Sequence, residues 1–295
     1  MALYAFDGTW NSEKTEDVAT EAAEYDGNTN VVKFKDAYEG PRFYIKGVGT
    51  RLGRFGRFFG GAFGIGGRSR LEEAREALQS NLAAGDREID VVGFSRGAAL
   101  AASFARRVHK EHGSDLPIRF VGLWDLVASF GIPISLGPIK FQELNLGYKF
   151  DVPASVRHYY HALALDERRQ SFRPTRLIGA HEVWFRGAHS DVGGGNGNLG
   201  LNCIALCWML RKAVASGVPI KASAITSAAT GCMPACAVRW PQDVIKNKMR
   251  ALLPDDRFHY TVTISADATL NHPPENGARE TEDGELRANP RASLR

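Results

Sequence analysis

The segment Ile89-Asp90-Val91-Val92-Gly93-Phe94 runs without a break into Ser95, and an alanine-rich stretch from Ala98 to Val108 follows. A short apolar run with β-branched residues at its centre reads as a buried strand. The alanine-rich stretch reads as a tightly packed helix. Between them stands only Gly93-Phe94-Ser95-Arg96-Gly97, so the chain must pass from strand to helix in one sharp turn. Glycines on both sides of the turn residue leave room for strand and helix to approach closely. A chain that contains such a unit has to pack the helix back onto the sheet to which the strand belongs.

The remaining pattern agrees with that architecture. Leu3 to Phe6 is a short apolar run that stops at Asp7-Gly8-Thr9, and Arg42 to Lys46 carries Phe43, Tyr44 and Ile45 into Gly47-Val48-Gly49-Thr50. Pro117 to Trp124 reads as a strand ending at Asp125, and His181 to Phe185 as one ending in Gly187-Ala188-His189. Leu71, Ala74, Leu78 and Leu82 follow helical spacing up to Gly85-Asp86. Leu199 to Ala215 reads as an apolar helix, Ala154 to Arg169 as another, and Tyr260 to Ile264 as a late strand. Strands and helices alternate to about residue 216. The expectation is an α/β fold, α/β-hydrolase-like, with a mostly parallel sheet covered by helices on both faces. In such sheets functional groups gather at the carboxyl ends of strands. Asp7, Ser95, Asp125 and His189 each stand at such an end.

The chain has 295 residues, 44% of them apolar, which is enough for one large domain with a substantial core. That domain is expected over residues 1–272, with residues 130–152 as a Gly- and Pro-containing excursion. From Pro273 onward the sequence is polar and charged without apolar periodicity, so a disordered tail over 273–295 is expected. Net charge is 37 − 33 = +4, too mild to imply a nucleic-acid partner. The N-terminus has no basic leader, and no stretch reaches the roughly 18 apolar residues of a membrane span. The chain is therefore expected to be made in the cytoplasm, with export by a signal-less route left open. Cys203 and Cys207 are four apart in an apolar helical pattern, while Cys232 and Cys236 form Cys-Met-Pro-Ala-Cys. Free thiols are the expectation, with a disulfide or a four-thiolate metal site as the competing readings.

Residues 51–70 form a separate feature, in which Phe55, Phe58, Phe59, Phe63 and Ile65 alternate with Gly and Arg. So much glycine opposes a helix. Two readings stand: a loop whose Phe residues pack on the body, and a lid that meets apolar substrate or an anionic lipid surface, where basic residues beside exposed Phe are favourable.

A serine hydroxyl needs a base to take its proton, and the base needs an orienting acid. The strand-turn-helix context makes Ser95 the candidate nucleophile. Triads built on such a turn run in the chain order serine, acid, histidine. His189 follows a strand and precedes Asp191 and a Gly-Gly-Gly run that would let its loop approach the nucleophile, so it is the candidate base. His109 and His112 end the helix after the turn, where a cation is favourable, and need no further role. For the acid, Asp125 satisfies the order; Asp191 is the rival, and Asp166 is expected to pair with a nearby arginine. The oxyanion hole is expected from the backbone N–H of Arg96 together with Gly8 or Thr9, with Asp7 as a residue that holds that loop.

Taken together and in this order, Ala5-Phe6-Asp7-Gly8-Thr9-Trp10-Asn11, Gly47-Val48-Gly49-Thr50, Gly93-Phe94-Ser95-Arg96-Gly97-Ala98, Gly122-Leu123-Trp124-Asp125, Asp166-Glu167-Arg168-Arg169 and His189-Ser190-Asp191-Val192-Gly193-Gly194-Gly195 resemble an α/β-hydrolase domain family that includes type VI secretion phospholipase effectors. The similarity spans roughly residues 2–216. It implies a Ser-Asp-His lipid esterase without cofactor or metal, a lipid or ester substrate, and transient contact with a membrane surface. Ser95 and His189 carry over onto matching motifs, while the acid stays open between Asp125 and Asp191. Two alternatives keep the fold. In one, Asp7, Asp125, Asp191 and His189 gather a metal for phosphoester hydrolysis. In the other, the chain is a non-catalytic lipid binder.

Overall fold

The computed structural model describes residues 1–8, 27–47, 60–128, 151–169, 172–240, 248–264, 267, 269–281 and 286–287; for 60–66 and 286–287 it describes the backbone alone. Strands β1 (Ala2–Phe6), β2 (Arg42–Ile45), β3 (Ile89–Phe94), β4 (Ile118–Trp124), β5 (Val156–Ala164), β6 (His181–Phe185), β7 (Arg257–His259), β8 (Ala278–Glu280) and β9 (Leu286–Arg287) form one sheet in the order β2-β1-β3-β4-β5-β6-β7-β8-β9. Every neighbouring pair from β2 to β8 is parallel, and β9 closes the edge antiparallel.

Both faces of this sheet are covered, as a parallel sheet requires. The side chains of β1 divide accordingly. Ala2, Tyr4 and Phe6 pack with helices α2 (Gly60–Ala83) and α3 (Arg96–His112) through Leu71, Leu78 and Phe104. Leu3 and Ala5 face the other way, toward α1 (Asn30–Ala37) and α5 (Leu199–Ala215) through Phe34, Leu206 and Trp208. Helix α6 (Ala222–Gly231) joins this second layer. The fold is α/β with helices on both faces of a parallel sheet, as the alternation of elements implies.

Four expectations do not match the structure. Residues 154–169 were expected to be helical; Val156–Ala164 is instead the strand β5, lying between β4 and β6. The buried half of this strand, His161–Ala164, shows no two-residue alternation, and periodicity alone cannot separate such a run from a buried helix segment. Within 51–70, expected as a loop, helix α2 already begins at Gly60. Its continuation through Leu71–Ala83 supplies the cooperative nucleus that outweighs the glycines' weak individual preference; residues 51–59 lie outside the described ones. The late strand is shifted: β7 ends at His259 and Tyr260–Thr263 is a short 3-10 turn. Finally, the segment expected to be disordered supplies β8 and β9. Glu280 is fully buried there, accepting from His181 Nε2 (2.6 Å) and Trp208 Nε1 (3.0 Å) and pairing with Lys212 Nζ (2.8 Å). Charge pairing, which apolar periodicity cannot detect, holds that strand.

Of the excursion at 130–152, all but its last two residues lie outside the described set. The four cysteines are free thiols, Cys203 and Cys207 buried and the later two partly so. No helix among the described residues is long and apolar enough to cross a membrane.

The chain passes from β2 back across β1 to β3, so the order reverses between β1 and β3. Crevices at such reversals, outside the carboxyl ends of the strands, are where ligands bind in open α/β sheets. Gly8 follows the end of β1 and Ser95 the end of β3.

Candidate active site

Ser95 connects β3 to α3 without an intervening loop. Its backbone angles are φ 58 and ψ −127, a left-handed conformation that non-glycine residues rarely adopt. The turn holds because its surroundings fix it. Ser95 N–H donates to Trp124 O (3.0 Å), and Ser95 O accepts from Ala98 N–H (3.1 Å). The two flanking glycines are required by contact. A Cβ on Gly97 would lie 2.3 Å from Asp7 O, and one on Gly93 would lie 2.8 Å from the Ala98 Cα. The helix therefore rests directly on the end of β1 and on its own strand.

Three side chains from three strand ends meet at this turn. His189 Nε2 lies 2.8 Å from Ser95 Oγ, and His189 Nδ1 lies 2.6 Å from Asp125 Oδ2. Ser95, Asp125 and His189 are all buried. Asp125 also sits at positive φ (41), directly after β4. An ionised carboxylate only accepts, so Nδ1 carries the imidazole proton and Nε2 is left to accept from the Ser95 hydroxyl. His189 opens the short helix α4 (His189–Gly193). A Cβ on Gly193 would lie 1.9 Å from the Phe94 ring, which in turn packs on His189 at a centroid distance of 4.7 Å. The glycine run thus lets α4 lie against the turn, as its position in the sequence implies.

The imidazole bonds Asp125 and not Asp191. The Asp191 carboxylate accepts from Ala188 N–H (2.9 Å), Arg239 N–H (3.0 Å), Asn196 Nδ2 (2.8 Å) and Asn198 Nδ2 (2.7 Å). It organises the α4 loop. Asp166 pairs with Arg186 Nη1 at 2.7 Å and accepts from Gly187 N–H at 2.7 Å. Asp7 accepts from the Tyr44 hydroxyl (2.6 Å) and from Gly8 N–H (2.7 Å). The Gly8 donor expected to face an oxyanion is thus turned onto the Asp7 carboxylate. Thr9 lies outside the described residues. Arg96 is the first residue of α3, so its N–H stands at the head of the helix, beside Ser95.

The arrangement of these carboxylates does not suit a metal ion. Among the described residues no group of three or more His, Cys, Asp or Glu converges on one point. Both Asp125 oxygens already face a guanidinium and an imidazole, and the Asp191 carboxylate is filled by N–H donors.

Several residues around the triad were not singled out from sequence. Arg250 donates from Nη1 to Asp125 Oδ1 (2.6 Å) and from Nη2 to Oδ2 (2.9 Å). It stands in Asn-Lys-Met-Arg, which reads as an ordinary charged surface run and gives no signal. Phe172 meets His189 edge-on at 4.8 Å, and Arg169 lies over the Phe172 ring at 3.5 Å. Glu167 accepts from His189 N–H (3.2 Å) and from Arg169 Nε (2.9 Å). Its signal was present: Asp166-Glu167-Arg168-Arg169 places four charges directly after an apolar run. Leu126 N–H, next to the acid, donates to His161 Nε2 (3.0 Å), and His161 Nδ1 faces Glu182 at 2.9 Å.

Burial opposes charge at both partners, with opposite outcomes. For Asp125 burial would raise the pKa, but the Arg250 charge and the bond from His189 outweigh it and hold the carboxyl below its usual range. For His189 burial prevails over the pull of Asp125 and lowers the imidazole below its ordinary 6.5. The base must be neutral to accept a proton, and a lowered pKa keeps it neutral to lower pH. The acid limb of a kcat/KM profile is therefore expected to have its midpoint below pH 6.5. A midpoint well above that value would show that the carboxylate, not the apolar wall of Phe94 and Phe172, dominates the imidazole.

The family model described as type VI secretion system phospholipase effector Tle1-like, catalytic domain, matches residues 3–113 and 104–212. No curated protein matches the sequence. An uncharacterised protein from Pseudomonas aeruginosa shares the fold at TM-score 0.50 and 20% identity, covering 74% of this chain and 46% of that one. A Tle1 effector solved bound to the VgrG spike of the type VI secretion system aligns at TM-score 0.46 and 24% identity, covering 66% of this chain and 51% of that one. The chain thus spans about half the length of these two solved structures.

Proposed function

Because the chain belongs to the family of Tle1-like phospholipase effector catalytic domains of the type VI secretion system, we propose that it is a serine esterase acting on the acyl esters of phospholipids, with Ser95, His189 and Asp125 as its catalytic triad. The observation that carries this reading is the unbroken line Oγ–Nε2 (2.8 Å) and Nδ1–Oδ2 (2.6 Å) at the carboxyl ends of β3, β4 and β6. Ser95 Oγ attacks the ester carbonyl carbon while His189 Nε2 takes the hydroxyl proton. The carbonyl oxygen becomes the oxyanion, with the Arg96 N–H at the head of α3 as its donor. Collapse expels the lysolipid alkoxide, which takes the proton back from Nε2. Water then attacks the acyl-serine while His189 Nε2 takes its proton; collapse breaks the bond to Ser95 Oγ, which takes that proton back from Nε2, and a fatty acid leaves. Asp125 stays ionised and holds the imidazolium formed in each half-reaction. Type VI export fits the family, and a membrane surface is where such a substrate is met.

The test compares phospholipid vesicles and short p-nitrophenyl esters, each with and without EDTA, and identifies the products. A free fatty acid and a lysophospholipid are expected, at a rate that EDTA leaves unchanged. Release of a phosphorylated head group, or loss of activity in EDTA, would instead support metal-dependent phosphoester hydrolysis on the same strand ends. Lipid binding with no product at all would favour the non-catalytic reading.

A further inference from the structure

We propose that Arg250 is a positioning residue of the triad, which clamps the Asp125 carboxylate from a segment outside the family-matched portion of the chain. The proposal rests on the triad assigned above and adds to it a fourth member that never touches substrate.

Asp125 is completely buried, at positive φ, and must present one oxygen to His189 Nδ1. A buried carboxylate with only one partner could rotate about its Cβ–Cγ bond or take up a proton, and either event would release the imidazole. Arg250 prevents both. Its two terminal nitrogens meet the carboxylate end-on with two parallel bonds, one to each oxygen. Ala164 N–H adds a third bond to Oδ1 at 3.0 Å, so Oδ2 is the oxygen left facing His189. The guanidinium is fixed in turn: Nη1 also donates to Ala164 O (2.6 Å), and Nη2 to Phe172 O. The Arg250 carbonyl accepts from Asn271 Nδ2 (3.0 Å), and Lys248 N–H donates to Arg168 O (3.3 Å), which tie the backbone on either side. Arg250 is itself buried. The family match ends at residue 212, so the clamp comes from outside the matched portion.

A positioning role differs from a stabilising one, and the protein contains its own comparison. Arg119 likewise holds a buried carboxylate at two points, donating from Nε and Nη2 to Asp90, at the opposite end of β3 from Ser95. Losing either arginine should lower the melting temperature, because each leaves a buried carboxylate without its cation. Only the loss of Arg250 should reach the chemistry.

The experiment compares Arg250→Met, Arg250→Lys, Arg119→Met and Arg119→Lys with wild type in the full chain. It measures kcat and KM on a soluble p-nitrophenyl ester, the kcat/KM pH profile, thermal melting, and the downfield proton resonance of His189 Nδ1–H. For Arg250→Met, kcat is expected to fall by about 10²–10⁴-fold with KM nearly unchanged, the scale seen when a triad acid no longer orients its histidine. Its acid limb should move to higher pH. The groups facing His189 are Asp125, Glu167 and Arg169, and without Arg250 the carboxylate's field falls on the imidazole. The Nδ1–H resonance should broaden or vanish. Arg250→Lys should keep the fold and lose about tenfold in kcat, since one ammonium cannot serve both oxygens. The Arg119 variants should melt lower with kcat, pH profile and resonance intact. If Arg250→Met does not fold, the Lys pair decides. Wild-type kcat and an intact Nδ1–H resonance in either folded Arg250 variant would overturn the proposal. If wild type itself shows no turnover while the resonance disappears in Arg250→Met, the clamp stands and the esterase assignment fails.

Discussion

Ser95→Ala is expected to abolish turnover while leaving the fold unchanged. Among the described residues no other group stands at Nε2 of His189 to take the place of the hydroxyl, and removing a triad nucleophile costs about 10⁴–10⁶-fold in kcat. Stability should hardly move. Alanine keeps the same Cβ at the same left-handed φ, and the backbone bonds of residue 95 to Trp124 and Ala98 do not involve the side chain. The melting temperature should stay within about 2 °C of wild type, less than 1 kcal/mol at this size. A fluorophosphonate probe should label wild type at Ser95 and leave the variant unlabelled. A variant that retained more than about a tenth of wild-type turnover would place the nucleophile elsewhere.

The second large effect is on folding. Gly97→Ala adds a single methyl, and that methyl would stand 2.3 Å from Asp7 O and 2.4 Å from Phe6 O. Both atoms belong to the backbone at the end of a central strand, so neither can swing aside as a flexible side chain would. Helix α3 would have to lift from the sheet and strip contacts from the Ala98–Phe104 face that packs beneath it. The expected cost is about 3 kcal/mol or more, the range in which overpacking of a rigid site falls. For a domain of this size that is a fall of about 6–12 °C in melting temperature. Gly85→Ala provides the contrast. Gly85 has φ +99 but nothing within 4 Å of its added Cβ, so it carries conformational strain of about 1–3 kcal/mol without a clash. Equal melting curves for the two variants would mean that the close approach of β1 and α3 is not what fixes the turn. The surviving folded fraction of Gly97→Ala should also be slow, since the displaced helix carries Ser95 at its head.

The elements that were legible from sequence share a property. β1, β3, β4 and β6 are short apolar runs bounded by turn residues, and α3 and α5 are long enough to show a helical pattern. β5 was misread because its buried second half, His161–Ala164, carries no alternation, while its first half mixes charged, aromatic and apolar residues. β8 was missed because its burial rests on Arg279 and Glu280, whose partners come from β6, α5 and the turn that precedes the strand. The start of α2 was missed because propensity is local and helix continuation is not.

The site divides in the same way. Ser95 and His189 could be read from the chain because each depends on a local motif: a strand-to-helix turn framed by glycines, and a strand end followed by a glycine run. The acid depended on three-dimensional arrangement. Asp191 is nearer to His189 in sequence, but the α4 turn directs its carboxylate to backbone and asparagine donors, while Asp125 is carried to Nδ1 by the register of β4 against its neighbours. Arg250 lies 125 residues from the carboxylate it clamps, and no local pattern encodes a pair of that separation. The sequence by itself determined the turn, the serine at its apex and the alternation that builds the sheet, because steric and hydrophobic periodicities act over a few residues. Only the tertiary structure decided which carboxylate bonds the His189 imidazole and what holds it, because charge pairing in a buried site is set by proximity in space.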